Sequence, residues 1–263
     1  MIKLIASDVD GTLLEEGTPN LNPELFQVIL KLKEKGVIFA AASGRQYESI
    51  REVFAPVENE MIFIADNGAY VVCRGREMES FFFDRSVLEE TVAYVRKMKG
   101  FLLVESPEVG YTDSRDEPFI TMLREGYNMK IQQVEDVLKL DIPVVKVAAY
   151  CQEDAQSMAL PAGEHFKGRL NVMASGAHWV DFVRPDVDKG NALGRVQKLM
   201  KILPEETMAF GDNINDIGML ARAGESYAVE NAREEVKRAA KHIAGRGAED
   251  GVLKVLKRLL EQQ

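Results

Sequence analysis

Residues 2–14 read IKLIASDVDGTLL, an apolar run of strand length that ends in two aspartates, Asp8 and Asp10, followed by Gly11 and Thr12. A short, mainly apolar run of this kind reads as a strand buried on both faces, as in a parallel sheet. Burying one unpaired carboxylate is costly, and two so close repel each other. Something must therefore compensate them. In doubly wound sheets ligands bind beyond the carboxyl ends of the strands, which makes this strand end a candidate site.

Working outward, Asn22 can cap a helix with Pro23 in its first turn, and Leu25, Val28, Ile29 and Leu32 share one helical face before Gly36 closes it. The stretch EEGTPNLNP before it is turn chemistry. VIFAAA is a second buried strand ending at SGR, QYESIREVF a helix, and MIFIAD a third strand running into NGA. Strand and helix alternating in this way predict a doubly wound parallel α/β sheet. From about Phe81 the rhythm changes. FFFD, GFLLVES, VGYTD, PVVKVAAY and RLNVMAS read as strands, with WVDFVRP as a half-exposed one. The α/β rhythm then returns with DKGNALGRVQKLMKI, TMAF and SYAV. The expectation is a core of residues 1–83 and 185–263, with an α+β unit of residues 84–184 inserted in it.

The 263 residues are 46% hydrophobic and 29% charged, enough for a substantial core, and the net charge of -9 argues against a nucleic-acid partner. Cys73 and Cys151 stand far apart, and no apolar stretch has bilayer length, so a cytoplasmic chain without membrane contact is expected. The C-terminal VLKVLKRLL is basic and amphipathic, and reads as a helix packed on the sheet. His165, His178 and His242 lack metal-ligand spacing.

Four polar clusters fall at strand ends or a helix start: Asp8/Asp10/Thr12, Ser43/Gly44/Arg45, Lys189, and Asp212/Asn215/Asp216. Several carboxylates around one point need a cation, and an all-oxygen set suits Mg²⁺. With a phosphate on that ion, Asp8 is placed as nucleophile and Asp10 as the acid that protonates the leaving oxygen and later the base for water. Crowded by negative neighbours, Asp10 would keep its proton for the first step. Ser43, read as opening a helix, offers its hydroxyl and the following N–H groups to phosphate oxygens. Lys189 supplies positive charge, Asp212 completes the metal shell, and Asp216 orients that shell or Lys189. Thr12 and Arg45 are candidate phosphate or substrate contacts. Arg115, Arg124 and Lys146 carry charge in the insert, but nothing in the sequence singles them out. Ca²⁺ loops are excluded, since Leu13 and Pro19 stand where an EF-hand counted from Asp8 needs Gly and Glu.

DVDGTL, ASGR, DKGNAL and GDNIND resemble, in order, the four motifs of the haloacid dehalogenase superfamily, and NGA at Asn67 resembles its Cof-like branch. The resemblance implies a phosphatase acting through an aspartyl phosphate on Asp8. Mg²⁺ would be held by the Asp8 carboxylate, the Asp10 carbonyl and Asp212, with Ser43, Gly44, Lys189 and Asn215 on the phosphate. Only residues 13–42 separate Thr12 from Ser43, whereas residues 44–188 separate Ser43 from Lys189, which is room for the α+β cap of that branch. Two features depart from the family pattern. Glu230 replaces a small residue in SYAVENA, and Asp181 and Asp188 stand where Glu and Ser are usual; neither is expected to touch the catalytic set. The expected substrate is a small phosphorylated metabolite, a sugar phosphate first. A phosphomutase with a similar cap, a phospho-acceptor signalling protein and a catalytically idle binding module are the alternatives.

Overall fold

The structure, a computed structural model, describes residues 1–14, 21–98 and 100–262, so residues 15–20 of the turn read over EEGTPNLNP lie outside the described residues. The chain opens with β1 (Leu4–Asp8), α1 (Pro23–Glu34), β2 (Ile38–Ala42), α2 (Tyr47–Val53), β3 (Ile62–Ala65), β4 (Tyr70–Cys73) and β5 (Arg76–Ser80). Next come α3 (Arg85–Val95), β6 (Gly100–Glu105), β7 (Gly110–Thr112), α4 (Glu117–Thr121), β8 (Ile131–Gln133), β9 (Lys146–Cys151), α5 (Ala155–His165), β10 (Asn171–Ala174) and β11 (Trp179–Val183). It closes with α6 (Lys189–Met200), β12 (Thr207–Gly211), α7 (Ile217–Ala221), β13 (Glu225–Val229), α8 (Glu234–Ala239), β14 (His242–Ala244) and α9 (Gly251–Gln262).

The strands form two sheets. The first has the order β14-β13-β12-β1-β2-β3-β4-β5; its first six strands run parallel, and β4 and β5 are antiparallel additions. All five residues of β1 are buried, as the opening run requires. The helix α1 forms for the reasons read from its sequence. Asn22 accepts the Glu24 N–H at 3.0 Å, Pro23 presets the first turn, and Leu25, Val28, Ile29 and Leu32 turn inward. From β1 the chain winds one way through α1 to β2, and from β12 the other way through α7 to β13. Right-handed crossovers then put those helices on opposite faces. The contacts agree, with α1 against α9 and α6 against α7. The winding reverses between β1 and β12, the position at which doubly wound sheets bind ligands. Expected packing of the C-terminal helix is also seen: Val252, Leu253, Val255, Leu256 and Leu259 of α9 are buried.

The second sheet, β10-β11-β9-β6-β7-β8, is largely antiparallel and is drawn wholly from residues 100–183. Leu102 and Val104 face one apolar cluster with α3 and α5, and Leu103, Ala148 and Trp179 face another with α4. Two strand readings need correction. FFFD forms no strand, because its N–H groups serve different sheets: Phe81 donates to Ala69 beside the first and Phe83 to Val144 beside the second. It is the crossing between the two. WVDFV is fully buried instead of half-exposed, because β9 and β10 flank β11 and its Asp181 is covered by the first sheet's Asn67.

Candidate active site

The strand β1 delivers Asp8 beside the end of β12, with Ser7 level with Phe210, and Asp212 follows directly after β12. Between Asp8 and Thr12 the chain turns at Gly11 with a φ of 84°. A Cβ there would lie 2.5 Å from Asp212 Oδ2, so Gly is required on both counts. Thr12 then donates its hydroxyl to Asp212 Oδ1 at 2.9 Å. This fixes Thr12 as a brace for Asp212.

Lys189, the first residue of α6 and 1% exposed, donates to Asp8 Oδ1 at 2.6 Å and to Asp216 Oδ1 at 2.7 Å. Its helix is capped by Asp188, which accepts the Asn191 N–H. Asp216 Oδ2 accepts the N–H groups of Asp212 and Asn213, both at 3.0 Å, so Asp216 orients the backbone carrying Asp212 as well as the lysine. Carboxylate oxygens of Asp8, Asp212 and Asp216 all lie within 4.8 Å of one another. Burial and the Asp216 charge raise the pKa of Asp8 well above the usual carboxylate range, against the pull of Lys189. Asp212 is pushed up to about 6, by burial first and Asp216 second. Burial alone would lower the pKa of Lys189, but Asp216 and Asp8 overcome it and hold the ammonium above its ordinary value.

Asp10 behaves differently from the expectation. Arg45 forks onto it, Nε to Oδ2 at 2.7 Å and Nη2 to Oδ1 at 2.5 Å, and lies over the Tyr127 ring. The charge held against Asp10 is thus the cationic guanidinium, and both carboxyl oxygens accept from it. The expected helix at Ser43 also starts later: α2 begins at Tyr47, and Ser43 lies in a tight turn whose Oγ accepts the Arg45 N–H at 3.0 Å. Asn215 donates to Asn67 at 3.0 Å. Asp8, Asp10, Ser43, Gly44, Arg45, Lys189, Asp212 and Asn215 nevertheless line one cavity between the two sheets. Thr12 and Asp216 stand behind it.

The second sheet supplies the rest of the wall, and here the sequence reading was incomplete. Glu105 on β6 and Lys146 on β9 are register partners, with Lys146 Nζ 2.9 Å from Glu105 Oε1 and 3.2 Å from Asp66 Oδ1 of the first unit. Asp181 accepts from Asn67 Nδ2 at 2.6 Å, so this aspartate does reach the site. Burial raises the pKa values of Asp66 and Glu105, and Lys146 opposes it in each. A usable signal existed: GFLLVES and PVVKVAAY each carry one charge inside an apolar run, which demands a buried partner of opposite sign. Asn67, at a φ of 56°, also accepts from Asn215 and donates its own N–H to the Ser43 carbonyl. Arg115 and Arg124 instead cap backbone carbonyls of Val134 and Ile131 within the insert. Asn231 pins the Gly11 carbonyl at 2.7 Å, while Glu230 faces Arg246 at 3.7 Å. The three histidines sit on Glu90, the Cys151 carbonyl and Glu225, away from the cavity.

Residues 5–256 match the family profile described as haloacid dehalogenase-like hydrolase. The chain is 30% identical to 5-amino-6-(5-phospho-D-ribitylamino)uracil phosphatase YbjI of Escherichia coli, covering 100% of this chain and 97% of that one. Among solved structures, a protein from Eubacterium rectale superposes with a TM-score of 0.86 at 34% identity, covering 98% and 99% of the two chains. SMU.1108c of Streptococcus mutans superposes at 0.92 and 28%, covering 99% and 100%.

Proposed function

The chain belongs to the haloacid dehalogenase-like hydrolase family, and from that premise we propose that it is a Mg²⁺-dependent phosphatase of small phosphorylated metabolites, sugar phosphates first, working through an aspartyl phosphate on Asp8. One observation carries the reading. Lys189 holds Asp8 Oδ1, while Oδ2 is buried without a hydrogen-bond partner among the described residues. Such an atom costs free energy unless something else engages it. Three carboxylates around one ammonium leave excess negative charge, and an all-oxygen donor set fits a hard divalent cation. Asp8, Asp212 and the Asp10 carbonyl would hold Mg²⁺, which would offset phosphate charge.

The rest is done by side chains. A carboxylate oxygen of Asp8 attacks phosphorus as the bond to the leaving oxygen breaks, and Asp10 gives that oxygen its proton. Arg45 must first release at least one Asp10 oxygen. In the return step Asp10 takes a proton from water, the water oxygen attacks phosphorus, and Asp8 leaves as carboxylate. Lys189 keeps Asp8 oriented and balances charge, and Ser43, Gly44 and Asn215 face the phosphate oxygens. The second unit acts as a cap over the cavity and excludes water. The Escherichia coli relative is named for a phosphate on a ribityl chain, which supports sugar-like phosphomonoesters as the class. Cysteine usage supports a cytoplasmic setting, and no helix among the described residues is long and apolar enough to cross a membrane.

The test uses p-nitrophenyl phosphate with Mg²⁺. The wild-type chain should release phosphate and lose that activity in EDTA, and Asp8→Asn should fold yet release none. Full turnover by Asp8→Asn removes the nucleophile assignment.

A further inference from the structure

Lys146 is 4% exposed, and its ammonium crosses from the second sheet to the backbone of the loop Ser43-Gly44-Arg45. It donates to the Gly44 carbonyl, while Glu105 and Asp66 hold it from either side at 2.9 and 3.2 Å and Asp181 stands 3.9 Å away. The Gly44 carbonyl and the Arg45 N–H belong to one rigid peptide plane. That N–H donates to Ser43 Oγ, so it occupies the hydroxyl as an acceptor and leaves the hydroxyl proton to point elsewhere. A cation on the carbonyl end of the plane therefore fixes the N–H end, and through it the direction in which Ser43 can donate. Backbone bonds tie the rest of the turn to the first unit, with the Ser43 N–H donating to the Ile64 carbonyl and the Asn67 and Asp66 N–H groups donating to the Ser43 and Arg45 carbonyls. The Gly44 carbonyl is the point at which the second unit holds it.

We infer that Lys146 is a positioning residue for phosphate, coupling the seating of the second unit to the hydrogen-bonding direction of Ser43. The inference rests on the phosphatase reading for the identity of the anion, and on geometry for the rest. Lys146 reads no leaving group in this role: its three nearest partners are the Gly44 carbonyl, Glu105 and Asp66. Loss of its ammonium should weaken every phosphoryl ligand alike, whatever the ester carries.

The experiment compares wild type with Lys146→Met. Removing one ammonium leaves buried carboxylates uncompensated, so a charge-matched Lys146→Met/Glu105→Gln chain is made beside it. Three readouts are taken: kcat and KM with p-nitrophenyl phosphate, the same with glucose 6-phosphate, and calorimetric affinity for inorganic phosphate. Loss of one charge-assisted hydrogen bond should lower kcat/KM about tenfold or more for both esters and weaken phosphate binding by a similar factor. A folded variant with unchanged phosphate affinity and unchanged kcat/KM overturns the inference, whatever happens to its melting temperature. A loss confined to glucose 6-phosphate also overturns it, because Lys146 would then be reading the leaving group. Phosphate affinity is read without turnover. A wild-type chain that releases no phosphate therefore ends the phosphatase reading and leaves this comparison intact.

Discussion

At Asp212 the folded chain pushes the carboxyl up to about 6, by burial and then by the charge of Asp216, and Asp8 is raised for the same two reasons. For a raised carboxyl the sign is fixed. The contribution to stability is fully present below the ordinary 3.8 and is lost as pH rises through the folded-state value. A divalent ion between these oxygens reverses that loss, and protons compete with it at low pH. Mg²⁺ should therefore raise the thermal midpoint more at about pH 8 than at about pH 5. Asp212→Asn should remove most of the difference. Equal shifts at both pH values, or an unchanged difference in the variant, would count against a cation at Asp8 and Asp212. At this scale the site was legible because Asp8, Lys189 and Asp212 lie in short motifs at element ends, where topology alone brings them together. Lys146, Glu105, Asp66 and Asp181 lie in four separate segments with no shared spacing, and only the packing of one sheet on the other makes them a cluster.

The helix α6 places Lys189 only because it can approach α7 closely. A Cβ on Gly190 would lie 2.5 Å from the Gly218 carbonyl carbon and 2.6 Å from its oxygen, which is backbone and cannot swing away. Gly190→Ala should push the first turn of α6 off α7 and take Lys189 from Asp8 and Asp216. The expected cost is about 1–3 kcal/mol of stability with a larger loss of turnover, measured by denaturant unfolding and phosphate release. Gly194 on the same helix is the control. The three atoms nearest a Cβ there all belong to the Arg222 guanidinium, the far end of a flexible side chain. Gly194→Ala should keep activity and gain up to about 1 kcal/mol from helix propensity. If both variants behave alike, close approach at Gly190 is not what seats the lysine. Elements whose signals are local were readable: α1 carries its own cap, period and stop, and β1 its own apolar run. FFFD has the composition of a strand, but Phe81 and Phe83 bond to different sheets, a tertiary fact that no local pattern encodes.

Taken whole, the molecule is two sheets facing each other across a cavity, joined by the crossings at residues 81–84 and 184–188. The face between them is unusual for its charge: Asp66 from one side meets Glu105, Lys146 and Asp181 from the other, all nearly excluded from solvent. Three carboxylates cannot all be ionised around one ammonium without cost, and burial raises Asp66 and Glu105 accordingly. Lys146 is also held above its ordinary value, because Asp181, Glu105 and Asp66 outweigh the burial that opposes them. Raised carboxyls stabilise the seated arrangement fully below their unfolded values and lose that contribution as pH climbs through the folded ones, while the ammonium persists into the alkaline range. The two units should therefore separate more readily as pH rises from about 4 toward neutrality and above. Trp179, the one tryptophan of the chain, reports on this directly, since it lines the cavity and is bonded to the Tyr127 hydroxyl at 3.0 Å. Acrylamide quenching of Trp179 should rise with pH in the wild type. In Asp66→Asn/Glu105→Gln it should stay nearly flat, because those changes remove both raised carboxyls and keep the side chains' shapes. A variant whose quenching climbs as steeply as the wild type would show that the cluster holds the units together without a proton, and that the pH response arises at the Asp8–Asp212 end of the cavity instead.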